Sequence, residues 1–305
     1  MTYLSLVDHP PKVCLLTGGI APMLTPAYEA YSSLWERVKE RNLCYYDMYP
    51  GDIGLVKKIV KKLLDEPATL PSGGTLTARR FLQLGMALGG SPSSFASLHS
   101  LFQSAFLQPD ETDFTRSFLK AVDNDQPFDD HPIYYLLHES IYADGLESSP
   151  TNWAAHRAFE DKIKTPSEFD YRLTSQLDSD ARPTLLFGEM VFPWMSEDFA
   201  ECGGVGMTAL ANSLASKEDW GPLYNGEHMR EVLGDGRSLA AAAVYYDDLY
   251  VDFDCSMKVA ARGGPLEKAK IFVTNDYQHS GLRDAGASMF TKLHGMATGS
   301  VRTPS

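Results

Sequence analysis

The sequence has few of the features that mark membrane proteins, metal sites or nucleic-acid-binding proteins. Its four cysteines show no Cys-x-x-Cys spacing, so we predict neither a zinc site nor a disulfide framework. The apolar runs are too short to span a bilayer, and the N-terminus has no basic segment followed by an apolar stretch, the pattern of a secretory signal. Lysine and arginine total 27 against 40 aspartate and glutamate residues. The resulting net charge of −13 argues against binding to nucleic acid or to anionic membrane surfaces, and we expect a cytoplasmic protein.

Length and composition are those of an ordinary globular protein. The chain has 305 residues, of which 44% are hydrophobic and 22% are charged. A chain of this length predicts roughly two domains, or one core that carries a large insertion.

Two apolar runs of strand length lie near the end of the chain. The first covers residues 239–246 and breaks into Asp247 and Asp248, and the second covers residues 269–274, shortly before His279. The segment between them has helical spacing, so the unit is predicted to be strand, helix, strand. Polar residues at the carboxyl ends of parallel strands lie where open α/β sheets place their chemistry.

Asp248 and His279 are therefore candidates for two members of a catalytic triad, in the chain order Ser, Asp, His of the α/β-hydrolases. In this hypothesis Asp248 orients the imidazole and stabilises its cation, while His279 takes the proton of the nucleophile. Asp247 is an alternative acid, and Asp248 is preferred because its neighbour would point away from the strand end. The simpler interpretation is that these polar residues only face solvent.

The nucleophile of such a triad is not found in the sequence. A nucleophile elbow needs small residues around its serine, as in Gly-x-Ser-x-Gly, because the turn is strained. No candidate has glycines on both sides and lies between a strand and a helix ahead of Asp248; the candidates weighed are Ser91, Ser288 and Ser300. Cys14 lies in an apolar run and Cys44 in a helical pattern, so neither replaces it. Residues 1–7 have the pattern of the last part of a helix, with no capping residue ahead of them. We therefore expect sequence to be missing on the N-terminal side.

The order of elements predicts an α/β fold. A first strand at residues 12–17 is followed by a long, mostly helical region, in which Asn152 is a predicted helix cap and the acidic stretch 110–130 a predicted exposed loop. This order is typical of an α/β-hydrolase core from which the first half of the sheet is absent. The predicted parts are residues 1–24 and 234–305, which belong to the core, and residues 25–233, a helical lid inserted between strands.

Glu139 and Glu189 each lie in apolar, aromatic sequence. A carboxylate in such surroundings is costly unless it meets a cation. If both line one pocket, they would bind a substrate ammonium group, and without it two like charges would lie close together. The alternative, which the residues alone favour, is that each caps a helix or pairs with an arginine such as Arg157 or Arg182.

Several blocks of the sequence resemble the larger type of proline iminopeptidase, a serine aminopeptidase of the α/β-hydrolase superfamily. In chain order these blocks are LTGGIAP (16–22), HE (138–139), TNWAA (151–155), GEMVFPWM (188–195), VYYDDLYV (244–251) and NDYQHSGLR (275–283). The resemblance covers nearly the whole chain. It implies that Asp248 and His279 are the triad acid and base, and that Glu139 and Glu189 hold the imino group of an N-terminal proline.

The resemblance also implies where the serine would be. In those enzymes the elbow lies directly before a helix similar to residues 2–5, so this chain starts just after the expected nucleophile. We therefore expect a truncated, inactive form of an enzyme that releases N-terminal proline from peptides through an acyl-enzyme, without metal or organic cofactor. Two alternatives stay open: a non-catalytic binding protein for N-terminal proline or a small amine and, more weakly, another α/β-hydrolase such as an esterase. The oligomeric state stays open as well.

Overall fold

The computed structural model of the protein describes residues 1–91, 93–108, 112–125, 128, 131–165, 167–175 and 181–303. The strands are β1 (Val13–Leu16), β2 (Ala68–Thr69), β3 (Thr75–Leu76), β4 (Leu239–Tyr245) and β5 (Lys270–Thr274). The α-helices are α1 (Thr2–Leu6), α2 (Ala27–Met48), α3 (Asp52–Asp65), α4 (Ala78–Leu82), α5 (Ser94–Gln103), α6 (Arg116–Asp125), α7 (Pro132–Leu137), α8 (Ala154–Ile163), α9 (Tyr171–Thr174), α10 (Met195–Asp198), α11 (Val205–Ala215), α12 (Gly226–Gly234), α13 (Phe253–Ala260) and α14 (Gly281–Thr298). Short 3-10 helices cover Gln83–Gly89, Glu139–Tyr142, Leu146–Ser148 and Ala200–Cys202.

Strands β1, β4 and β5 form a parallel sheet with the order β1-β4-β5. β4 lies in the middle, with Leu15 opposite Ala241 on one side and Phe272 opposite Ala243 on the other. The three strands predicted from the apolar runs are thus present, with ends that differ from the prediction by a residue or so. Because all three run in the same direction, their carboxyl ends meet at one edge of the sheet.

The two faces of β4 pack against different helices. On one face Ala240, Ala242 and Val244 join a buried cluster with residues of α1, α12 and α13. On the other face Ala241, Ala243 and Tyr245 pack against Met289, Leu293 and Met296 of α14. β4 is therefore buried on both faces, as is usual for a parallel strand.

A separate and larger apolar core holds the helical region together. Trp35 of α2 is 1% exposed and lies at its centre, with the rings of Phe159, Phe187 and Phe192 around it at centroid distances of 5.1 to 6.4 Å. Leu249, which directly follows Asp248 in the chain, belongs to this core as well. The segment after β4 consequently joins the sheet to the helical region.

The stretch 110–130, predicted to be an exposed loop, contains a helix instead. α6 occupies Arg116–Asp125 and buries Phe118 and Val122 one turn apart. The prediction was wrong here because two apolar residues suffice for a short helix that packs on a larger core, even among charged neighbours. Residues 110–111, 126–127 and 129–130 of the stretch lie outside the described residues.

Across the described ranges, none of the helices is both long enough and apolar enough to cross a membrane.

Candidate active site

Asp248 and His279 lie side by side at the carboxyl ends of β4 and β5. Asp248 follows the end of β4 by three residues, and His279 lies in the loop between β5 and α14. His279 Nδ1 is 2.9 Å from Asp248 Oδ2. Since a carboxylate can only accept, Nδ1 carries the proton and donates it to Asp248, which leaves Nε2 to accept a proton from another group.

The backbone fixes the orientation of Asp248. Its Oδ1 accepts the N–H groups of Tyr250 at 2.8 Å and Val251 at 3.1 Å. The Asp248 side chain is 1% exposed, whereas Asp247 lies at the surface. Of the two acidic residues weighed from the sequence, Asp248 is therefore the one that the fold directs to the imidazole.

The pKa of His279 is raised above its ordinary value. Burial acts to lower it, but the hydrogen bond and the negative charge of Asp248, together with the charge of Glu189, outweigh burial. An imidazole tuned in this way is suited to hold a proton that it has taken from a nucleophile.

Two glycines after β1 allow the chain to approach this pair closely. A Cβ on Gly18 would lie 3.3 Å from His279 Cε1 and 3.4 Å from Nε2. Gly19 has a φ of +78°, and a Cβ there would lie 2.9 Å from Val251. The sequence indicates these glycines only as the end of a strand, whereas in the fold Gly18 lies against the imidazole edge that carries Nε2, and Gly19 lies against Val251.

Glu139 is 5% exposed and caps a helix. Its Oε1 accepts the N–H of Ala155 at 3.1 Å, in the first turn of α8. Burial is the main cause that raises the pKa of Glu139. Thr151, the N–H groups of Ala155 and Ala154 and the charge of Arg157 oppose it without cancelling it. Its Oε2 has no hydrogen-bond partner among the described residues. The capping alternative therefore describes one oxygen of Glu139 and leaves the other unused.

Glu189 lies nearer to the acid–base pair. Its Oε1 accepts the hydroxyl of Tyr134 at 3.0 Å. Burial raises the pKa of Glu189, the charge of Asp248 adds to this, and Tyr134 and His279 act in the opposite direction. Glu189 also lines a cavity of about 180 Å³, whose other lining residues are Gln83, Met86, Asp125, Phe128, His131, Tyr134 and Met195.

The two glutamates lie around one pair of tyrosines. The rings of Tyr31 and Tyr142 are 5.1 Å apart, and Tyr31 is fully buried. Burial first, and then the charges of Tyr142, Glu139 and Glu189, raise the pKa of Tyr31. Both glutamates thus act on the pKa of the same tyrosine, and of the two only Glu189 lines the cavity described above.

Sequence reasoning missed Tyr250, which covers the imidazole. The ring centroids of Tyr250 and His279 are 4.9 Å apart, with an angle of 56° between the planes. A signal for it exists in the sequence, because an Asp side chain commonly accepts the backbone N–H two residues further on. The residue two positions after Asp248 was therefore a candidate neighbour of the pair.

Within the described ranges, no group of three or more His, Cys, Asp or Glu side chains could hold a metal ion. The arrangement is suited to proton transfer at His279 Nε2 and to the binding of a cation beside Glu189.

Comparison with known proteins gives two relatives that are both named proline iminopeptidase. The chain is 33% identical over 293 residues to a proline iminopeptidase of Aeromonas sobria. The matched residues make up 96% of this chain and 63% of that protein. It is 28% identical over 294 residues to the proline iminopeptidase aneH of Aspergillus aculeatus, covering 96% of this chain and 60% of that protein. No family model matches the chain. The resemblance read from the sequence blocks is confirmed, and the chain spans about three fifths of the length of these curated relatives.

Proposed function

We propose, from its relationship to the proline iminopeptidases, that this chain carries the acid–base pair and the substrate-binding carboxylates of a prolyl aminopeptidase. The observation that carries the proposal is the 2.9 Å contact between His279 and Asp248, with the Glu189 carboxylate close enough to influence the pKa of the same histidine. A base and a cation-binding group in one neighbourhood are what the removal of a charged first residue requires.

The proposed reaction is acyl transfer to a serine. His279 Nε2 takes the proton of the serine hydroxyl as its oxygen attacks the carbonyl carbon of the N-terminal proline, and Asp248 stabilises the imidazolium that forms. The imidazolium then gives its proton to the leaving amine, and the proline remains as an ester on the serine. Water, activated by the same histidine, hydrolyses this ester and regenerates the hydroxyl.

Glu189 and Glu139 would supply the specificity for the first residue. The imino group of an N-terminal proline is a secondary ammonium that donates two N–H groups, and a carboxylate whose pKa is raised by burial gains most from such a partner. A proline inside a peptide carries no charge on its nitrogen. It therefore offers the glutamates nothing to neutralise.

We extend the proposal to the division of the chain into a core and a lid. Residues 1–24 and 234–305 would form part of an α/β-hydrolase core, and residues 25–233 its helical lid. The parallel order β1-β4-β5 and the helical content between β1 and β4 support this division.

A nucleophile beside His279 is not found among the residues that the structure describes. Among the described residues, no serine or cysteine has a hydrogen bond to His279 Nε2. We therefore expect the 305-residue chain by itself to be inactive. The same observation favours a second candidate, a non-catalytic protein that binds N-terminal proline or a small amine.

Hydrolysis of proline p-nitroanilide tests the first candidate. We would measure it for the 305-residue chain alone and for the chain joined to the part of the Aeromonas sobria relative that it does not match. Hydrolysis is expected only from the joined protein, and His279→Ala should abolish it. N-acetylproline p-nitroanilide is the matched control, because acetylation removes the cation and leaves the scissile bond.

The alternatives give different results in the same assay. Hydrolysis by the unjoined chain, lost on His279→Ala, would show that it contains a nucleophile after all. A folded but inactive joined protein that binds prolinamide in calorimetry, and loses that binding on Glu189→Gln, would favour the binding protein.

A further inference from the structure

Tyr250 contacts both members of the acid–base pair. Its backbone N–H donates to Asp248 Oδ1 at 2.8 Å, and its ring lies against the imidazole of His279 with a centroid distance of 4.9 Å. The ring thereby limits the positions that the imidazole can occupy while Nδ1 stays bonded to Asp248.

The hydroxyl of Tyr250 ties this ring to the helical region. It donates to the backbone carbonyl of Met86 at 2.7 Å. Met86 belongs to the 3-10 helix Gln83–Gly89, and both Gln83 and Met86 line the cavity beside Glu189. One hydrogen bond therefore connects the wall of that cavity to the residue that packs on the histidine.

The end of the same 3-10 helix is packed tightly against the segment after β4. A Cβ on Gly89 would lie 2.8 Å from Tyr250 Cε1 and 2.9 Å from Leu249 Cβ. The carbonyl of Gly89 accepts the backbone N–H of His279 at 3.3 Å. With so little free space, a shift of this helix moves Tyr250 and the backbone of His279 together.

We propose that Tyr250 is a positioning residue, which holds the imidazole of His279 on Asp248 and links it to the cavity beside Glu189 through its bond to Met86. The proposal rests on the proposed function only in that His279 is taken as the base. The linkage from Met86 through Tyr250 to His279 consists of contacts within the folded chain, so it can be tested without measuring a reaction.

The test is the exchange of the His279 Nδ1 proton with water, followed by NMR in the 305-residue chain. Tyr250→Phe keeps the ring and removes only the bond to Met86. The matched control is Tyr46→Phe, because the buried Tyr46 hydroxyl also donates to a backbone carbonyl, that of Thr184, at 2.6 Å. Since one hydrogen bond contributes modestly to the closed state, Tyr250→Phe is expected to speed the exchange about fivefold, and Tyr46→Phe to leave it unchanged.

The backbone amides of β4 distinguish positioning from general loosening. They are expected to exchange at unchanged rates in Tyr250→Phe. An Nδ1 proton that exchanges as in the unsubstituted chain would overturn the proposal, as would equal acceleration at β4 or in Tyr46→Phe. Because no nucleophile or substrate is involved, these results do not depend on whether the joined protein hydrolyses a proline amide.

Discussion

The two acidic sites of this molecule are built in opposite ways. Asp248 at the end of β4 has both oxygens occupied, one by two backbone N–H groups and the other by His279. Glu139 in the helical region has one oxygen bonded to the start of α8 and one without a partner among the described residues. For Glu189, the hydrogen bond found among the described residues is the one that its Oε1 accepts from Tyr134.

The difference indicates what each site is suited for. A carboxylate whose oxygens are all occupied has a fixed orientation and can in turn orient a neighbour. Burial raises the pKa of Glu139 and of the half-buried Glu189, and a cation bound beside such a carboxylate stabilises its charged form. We infer that the strand ends hold a preformed pair, whereas the helical region holds charge that becomes favourable only with a ligand.

Asp248→Asn should have the largest effect, because it breaks the preformed pair. An amide nitrogen in place of Oδ2 cannot accept from Nδ1–H, so the imidazole would adopt the tautomer with its proton on Nε2. In the joined protein we expect kcat for proline p-nitroanilide to fall about 10⁴-fold. Asp247→Asn is the matched control, since Asp247 is exposed, and it should leave kcat within about twofold of the unsubstituted protein. Comparable losses in both variants would remove the distinction between these neighbours.

The strand-end site could be predicted from the sequence, whereas the glutamate site could only in part. Apolar runs that stop at Asp247 and before His279 are local signals, and parallel pairing then brings the strand ends together. The N-terminal cap of α8 is a feature that local sequence did not predict. Asn152 was the predicted cap, yet Asn152 and Trp153 have φ angles of 50° and 55°, and Glu139 accepts the N–H of Ala155 instead. No local pattern connects residues so far apart.

The two glutamates themselves differ, and a second pair of variants separates them. Glu189 lines the cavity and Glu139 does not. A hydrogen bond between charged groups contributes about 1.5–3 kcal/mol, so Glu189→Gln should raise KM for proline p-nitroanilide roughly 10- to 100-fold in the joined protein. Glu139→Gln keeps an oxygen for the N–H of Ala155, and its effect on KM should be smaller. Equal increases in KM would instead place both carboxylates at the substrate cation.

The smallest expected effect is that of Glu189→Gln on the pH dependence of stability. It tests whether ionised Glu189 destabilises the folded chain when no ligand is bound. Because the pKa of Glu189 is raised in the folded chain, its protonated form favours folding, and that contribution is lost as the pH rises through the folded pKa. The free energy of unfolding from urea titrations should therefore fall more between pH 4 and pH 8 for the unsubstituted chain than for Glu189→Gln. The exposed Glu231 supplies the control, Glu231→Gln, which should follow the unsubstituted chain. If Glu189→Gln shows the same pH dependence as the unsubstituted chain, the Glu189 carboxylate has the same pKa in the folded and unfolded chain. The energetic contrast with Asp248 would then be wrong.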